Sequence, residues 1–261
     1  MSKNPQNRVD EVNRYYEPVN KAGKVTGYLF WIIAGSSLFI PYVKQNINPE
    51  VASKIQLVFI CLVLIHFCLA QFSRFYLLPR AERKRRQQFL SNSFGVPLSH
   101  DRTVHYYNNG YAPNILRLGA NTMENSFFSK EVAARMLILK RMITVIYIII
   151  WVFFFGSPEC KPETLMWITQ LVFSTEICIQ WLTLELLRCI YKNTYDELHS
   201  LFLNEANSKN PKTAASILDS FTAYEAAKHS AGFLLSSKIF FKMNEELTQR
   251  WNQIRNDLNM K

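Results

Sequence analysis

The segment from Thr164 to Arg188, TLMWITQLVFSTEICIQWLTLELLR, limits the fold more than any other part of this 261-residue chain. It is apolar enough to sit in lipid. At about 1.5 Å per helical residue, its roughly 25 residues exceed the ~30 Å of a bilayer's hydrocarbon core. Yet Glu176 falls in its middle, with Gln170, Gln180 and Glu185 beside it in sequence. An ionisable group at mid-membrane costs roughly 2.5–3.5 kcal/mol on insertion scales, so Glu176 has to face protein or water. At about 100° per residue, Thr169, Glu176 and Thr183 follow one line, and Gln180 lies about 40° from Glu176. Thr169, Glu176, Gln180 and Thr183 thus read as a polar stripe that lines a pore or a subunit interface. Within one bundle the same stripe would act as interhelical glue. Glu185 lies on the opposite side and is expected to pair with Arg188, three residues on.

Three further apolar runs accompany it. Val25–Val43 has 19 residues without a charge, and its Gly35, Ser36 and Ser37 are expected to let a neighbouring helix approach closely. Ile55–Ser73 carries His66 as its only titratable group besides thiols. Met142–Gly156 is short at 15 residues. It reaches bilayer length when Met136–Leu139 join it and Lys140 and Arg141 snorkel to the headgroups. Short polar links join these runs in pairs. The fold class is therefore an all-α membrane protein with four transmembrane helices in two hairpins, 25–73 and 136–188. The N-terminal segment 1–24, an insertion 74–135 and a tail 189–261 would form a helical cytoplasmic portion. No apolar leader opens the chain, so no cleavable signal is expected.

Charge sets the orientation. With both ends and the insertion on one side, that side holds 27 of the 30 Lys and Arg, and the other side only Lys44, Lys54 and Lys161. The positive-inside rule then makes both termini cytoplasmic. The same placement accounts for the net charge of +10 without nucleic acid. Arg80, Arg83, Lys84, Arg85 and Arg86 follow a span closely, where anionic headgroups would hold them, so this cluster is expected to face lipid.

Inside the polar regions, Pro18 is expected to break any helix before the first span. Gly95, Pro97, Gly110, Pro113 and Gly119 predict turns and short elements in the insertion. Asn125, Ser126 or Ser129 would cap a helix running into the third span. In the tail, Ile217, Leu218, Phe221 and Tyr224 mark one amphipathic helix. Met243, Leu247, Trp251, Ile254 and Leu258 mark another, expected to dock within the protomer or to pair with a second subunit.

No catalytic residue and no metal site is expected. His100–Asp101 is a lone pair, the five cysteines show no C-x-x-C spacing, and there is no phosphate-binding glycine loop or nucleophile elbow. Arginines suited to phosphate and tyrosines suited to stacking on a base make Arg102, His105, Tyr106, Tyr107, Arg117 and Asn121 the candidate signal-binding set. Packing of the insertion on itself is the alternative reading of the same residues.

The lead VNRYYEPVNKAGK, the break at Pro79 before a basic helix, and the turn LSNSFGVPLS resemble the S-4TM family of SMODS-associated four-transmembrane antiphage effectors. The likeness is one of layout over most of the chain. It implies a pore-forming effector in the bacterial inner membrane, a homo-oligomer with no cofactor and with a cyclic nucleotide from a partner nucleotidyltransferase as activating ligand. Two other readings of the same layout are a constitutive channel or small transporter, and a membrane-anchored adaptor or enzyme working through residues 74–135.

Overall fold

The computed structural model describes residues 9–46, 49–101, 103–104, 106–156, 178–204 and 209–260. It is almost entirely helical, and two of its helices are long and apolar enough to cross a membrane. The chain divides into two compact units.

The first, here the apolar unit, comprises 15–80 and 142–180. Its main elements are α1 (Glu17–Asn46) and α2 (Pro49–Phe72), which pack against each other. Pro18 does not break α1. It sits in the first turn, where an N–H has no helical partner to lose, and Pro49 opens α2 in the same way. Among the described residues, nothing lies within 4 Å of where a Cβ on Gly35 would be. A π-helical turn (Ser73–Leu77) joins α2 to α3 (Leu78–Phe94), and the Leu78 N–H bonds to the Ser73 carbonyl. The expected break at Pro79 is therefore a widened turn. Proline has no N–H for the Phe75 carbonyl and its ring crowds that group, which favours an i to i−5 pattern just before it. Leu57, Val58, Leu64, Ile65, Phe67, Phe72 and Phe75 are each more than half exposed along this helix, an apolar surface of the kind lipid covers.

The second, the polar unit, comprises 1–14, 81–141 and 181–261. Around it are arranged α4 (Ile115–Phe155), α5 (Gln180–Leu203), α6 (Pro211–Ala231) and α7 (Ser237–Asp257). Two short strands, β1 (Val9–Asp10) and β2 (Thr103–Val104), pair antiparallel with Val9 opposite Val104. Helix α4 is the centre: residues 118–124, 126 and 127 are all buried, as befits a helix surrounded on every side. Leu118, Met123 and Phe127 meet Phe89, Leu198, Phe202, Ile217, Leu247 and Trp251 in one core. The α7 stripe thus docks on the core, with Met243, Ile254 and Leu258 packed around it. In α6, Ile217 and Tyr224 are buried as expected, but Leu218 faces outward.

The insertion is more helical than its glycines and prolines imply. Helix α4 starts at Ile115, where the Asn114 side chain accepts from the Arg117 N–H (3.1 Å), so Asn125, Ser126 and Ser129 are interior residues. Gly119 serves packing within that helix. A Cβ there would lie 3.0 Å from Ile217 Cδ1 and 3.2 Å from Phe202 Cζ. Gly119→Val is expected to cost about 1–3 kcal/mol by overpacking. Gly119→Ala should be close to neutral, because about 1 kcal/mol of helix propensity offsets the small shift its neighbours make. Denaturant titration of the two variants checks the difference.

Candidate functional site

The insertion surface is built where α3 ends. Gly95 adopts φ +68°, and a Cβ there would stand 3.1 Å from Pro113, so the chain turns sharply and runs close to the loop that leads into α4. The Ser91 hydroxyl accepts from Leu98 N–H (3.0 Å) and holds the turn. Asp101 follows, buried, accepting from the Ser99 hydroxyl (2.9 Å) and from Arg14. Burial raises the Asp101 carboxyl, but the Ser99 hydrogen bond and the charges of Arg14 and Lys84 outweigh it and hold the group below its ordinary value. Gln88 of α3 donates to the Asp101 carbonyl (2.8 Å) and accepts from the Thr103 hydroxyl (2.9 Å), which fixes β2.

Arg85 is the best-engaged cation here. Its guanidinium donates to both Asp10 oxygens at 2.9 Å and lies over the Tyr106 ring, 4.9 Å from the centroid. The basic run therefore splits. Arg80, Arg83 and Arg86 are exposed and Lys84 is half-buried, whereas Arg85 faces Asp10 and Tyr106 rather than lipid.

Within the candidate signal-binding set, Arg102 and His105 lie outside the described residues. Tyr106 presents its ring to Arg85. Tyr107 packs edge-on against Phe89 (5.4 Å), and burial pushes its phenol well above the ordinary value. Asn121 is fully buried: its amide nitrogen donates to Asn92 and Ser93, and its oxygen accepts from Asn109 (2.6 Å). Tyr107 and Asn121 consequently belong to the packing of the insertion on itself. Nearby, Asn108 donates twice to the buried Glu124 carboxylate (2.9 and 3.0 Å), and Arg255 of α7 donates to the Asn108 carbonyl (2.7 Å). Arg117 stands in the first turn of α4, and its Nε is buried with no hydrogen-bond partner among the described residues.

A buried ionic cluster escaped the sequence reading altogether. Lys228 of α6 donates to Glu225 (2.7 Å) and lies 3.3 Å from Glu82 of α3, with Tyr191 and Tyr224 in ring contact beside it. Burial raises the Glu82 carboxyl above its ordinary value. Lys228 pulls it back only in part, and Glu225 raises it further. Tyr224, buried and hydrogen-bonded with Ser129, is pushed up to about 12, chiefly by burial. The signal in the sequence was faint: Glu82 sits among Arg80, Arg83, Lys84, Arg85 and Arg86, where an acid reads as a solvated helix partner.

On the polar stripe, Thr169 and Glu176 lie outside the described residues, while Gln180 and Thr183 are half-buried on α5. Glu185 does not pair with Arg188. Arg141 reaches it in bidentate fashion (2.6 and 2.8 Å), and the Trp181 indole donates to it (3.0 Å). Arg141 is thereby engaged by α5 through a fork of two parallel bonds to a carboxylate.

Comparison of the chain with protein-family models, with curated proteins and with solved structures gives no match.

Proposed function

We propose that this chain is a multi-pass membrane effector that permeabilises the bacterial inner membrane when a phosphorylated, cyclic-nucleotide-type signal engages its cytoplasmic portion. In this reading, four spans form two hairpins, both termini and the insertion are cytoplasmic, and several copies assemble around the stripe of Thr169, Glu176, Gln180 and Thr183. The resemblance to the S-4TM effectors and the 27 of 30 cations on one side support it. The observation that carries it is α4. One unbroken helix of 41 residues begins in the core of the polar unit and ends in an apolar segment. In that segment Leu139, Met142, Ile146, Ile149 and Phe153 are each at least half exposed. At about 1.5 Å per residue it is roughly 60 Å long.

Leakage is then a population shift. To move a closed state from 99:1 to 1:99, the signal must bind the leaking state about 10⁴-fold more tightly. Full-length chain in dye-loaded vesicles is expected to leak on addition of cyclic di- or trinucleotides and to stay closed without them. Glu176→Leu should cut the leak at least tenfold while leaving insertion intact. No leak with any nucleotide, or full leak from Glu176→Leu, overturns the reading. A neighbouring nucleotidyltransferase gene would supply the signal.

A further inference from the structure

Residues 9–14 lie across the polar unit as a strap. Its two-residue ladder to β2 is the least pairing a strand can make, and Val12 is its one fully buried side chain. Two ion pairs help to hold it: Asp10 with Arg85 and Arg14 with Asp101. The strap leads without a loop through the turn Glu11–Tyr16 into α1. A detachable strap and the first apolar helix are thus consecutive pieces of chain.

What Asp10 occupies is specific. Arg85 presents a planar fork to two oxygens at equal distance, with an aromatic ring against its face. A phosphoryl group fits the same fork, with more charge than a carboxylate and more acceptor oxygens. Arg83 and Arg86 are exposed on the same helix, and Lys84 is half-buried beside them, so an incoming anion meets positive potential. We propose that Arg85, backed by Tyr106, is an anion-receiving site kept closed by Asp10, and that a phosphoryl ligand taking Arg85 releases the strap. The pair of Arg14 and Asp101, whose arginine is largely exposed, then remains.

Strap release belongs to the polar unit; only its link to leakage rests on the function proposed above. The test is hydrogen–deuterium exchange of residues 9–14 in the full chain in detergent, with inorganic pyrophosphate as probe and the Phe127 segment of α4 as the control for folding. Asp10→Asn should speed strap exchange about tenfold without pyrophosphate. Pyrophosphate should speed it comparably in the parent chain and add little in Asp10→Asn. The charge-swapped chain, Asp10→Arg with Arg85→Asp, should close the strap again and lose the response to pyrophosphate. Strap exchange that ignores Asp10→Asn, or a pyrophosphate response equal in parent and swapped chains, overturns the proposal. Vesicles with and without phosphatidylglycerol separate the anion's sources: opening by the lipid alone identifies a headgroup phosphate, opening by pyrophosphate alone a soluble ligand, and opening by neither overturns the proposal. A strap that opens on schedule without dye leakage leaves this inference standing and removes the pore. Leakage with the strap closed removes this inference and leaves the pore.

Discussion

Lys228→Met is expected to lower the stability of the polar unit by about 3–5 kcal/mol at pH 7, because it leaves Glu82 and Glu225 facing each other in a buried site without their shared cation. Methionine keeps most of the lysine's volume, so the loss reports charge rather than a cavity. The pH dependence fixes the cause. The folded state holds the Glu82 proton more tightly than the unfolded chain, whose value is the ordinary 4.5. The stability from that group is therefore full below about 4.5 and declines as pH rises through the higher folded value. Removing Lys228 takes away the main influence lowering that value, so the folded pKa climbs further and the deficit at pH 7 widens. Thermal unfolding of parent and variant at pH 7 and pH 5 checks it, and the gap should shrink at pH 5. A gap of equal size at both pH values would show that the lysine stem matters for packing and its charge does not.

The second large effect concerns Phe127, 1% exposed, whose ring lies 5.7 Å from Tyr195 and 6.0 Å from Trp251. Lys130 and Arg250 sit over it at 5.4 Å each. Phe127→Ala removes the ring at the centre of α4 and should cost about 3–5 kcal/mol, the usual range for a buried phenylalanine. Trp251→Phe is expected to cost clearly less, although Trp251 is fully buried. Among the described residues its Nε1 has no hydrogen-bond partner, and an unsatisfied buried donor is itself worth about 1–3 kcal/mol of destabilisation. That relief offsets much of the lost indole volume. Exchange protection of residues 118–127 measures both, and a Trp251→Phe loss as large as that of Phe127→Ala would mean that packing outweighs the orphaned donor.

Periodicity and apolar length carried the helical architecture well, since both depend on residues near in sequence. Met243, Leu247, Trp251, Ile254 and Leu258 announced α7 and its buried side in advance. Punctuation misled where context decided its meaning. Gly119 reads as a turn until Ile217 and Phe202 fill the space a side chain would need. Pro18 reads as a break until it is seen in a first turn. Ion pairs were legible only at short range. Glu185 was assigned to Arg188, three residues away, whereas its partner Arg141 is 44 residues distant. Glu82 looked like one acid among surface bases, and its burial against Lys228 is a fact of α3–α6 packing that no local window contains. Within the candidate site, tyrosine and asparagine types pointed toward ligand chemistry. Burial then assigned Tyr107 and Asn121 to the scaffold and left Arg85, first read as a lipid contact, as the cation held in a fork.

The polar unit is drawn from separated stretches of chain, 1–14, 81–141 and 181–261, and this sets a calendar for its assembly. Leu118 and Phe127 leave the ribosome well before Leu247, Trp251 and Met260, which close the same core. The hydrogen bond from Arg255 to the Asn108 carbonyl spans 147 residues and cannot form until α7 has been made. Loops that long close late, and native contacts of high sequence separation slow folding. The pair α1 and α2, local in sequence, can pack while the core is still missing α7. A nascent chain therefore owns its packed α1–α2 pair before it owns a finished polar unit, whose core waits on the docking of α7.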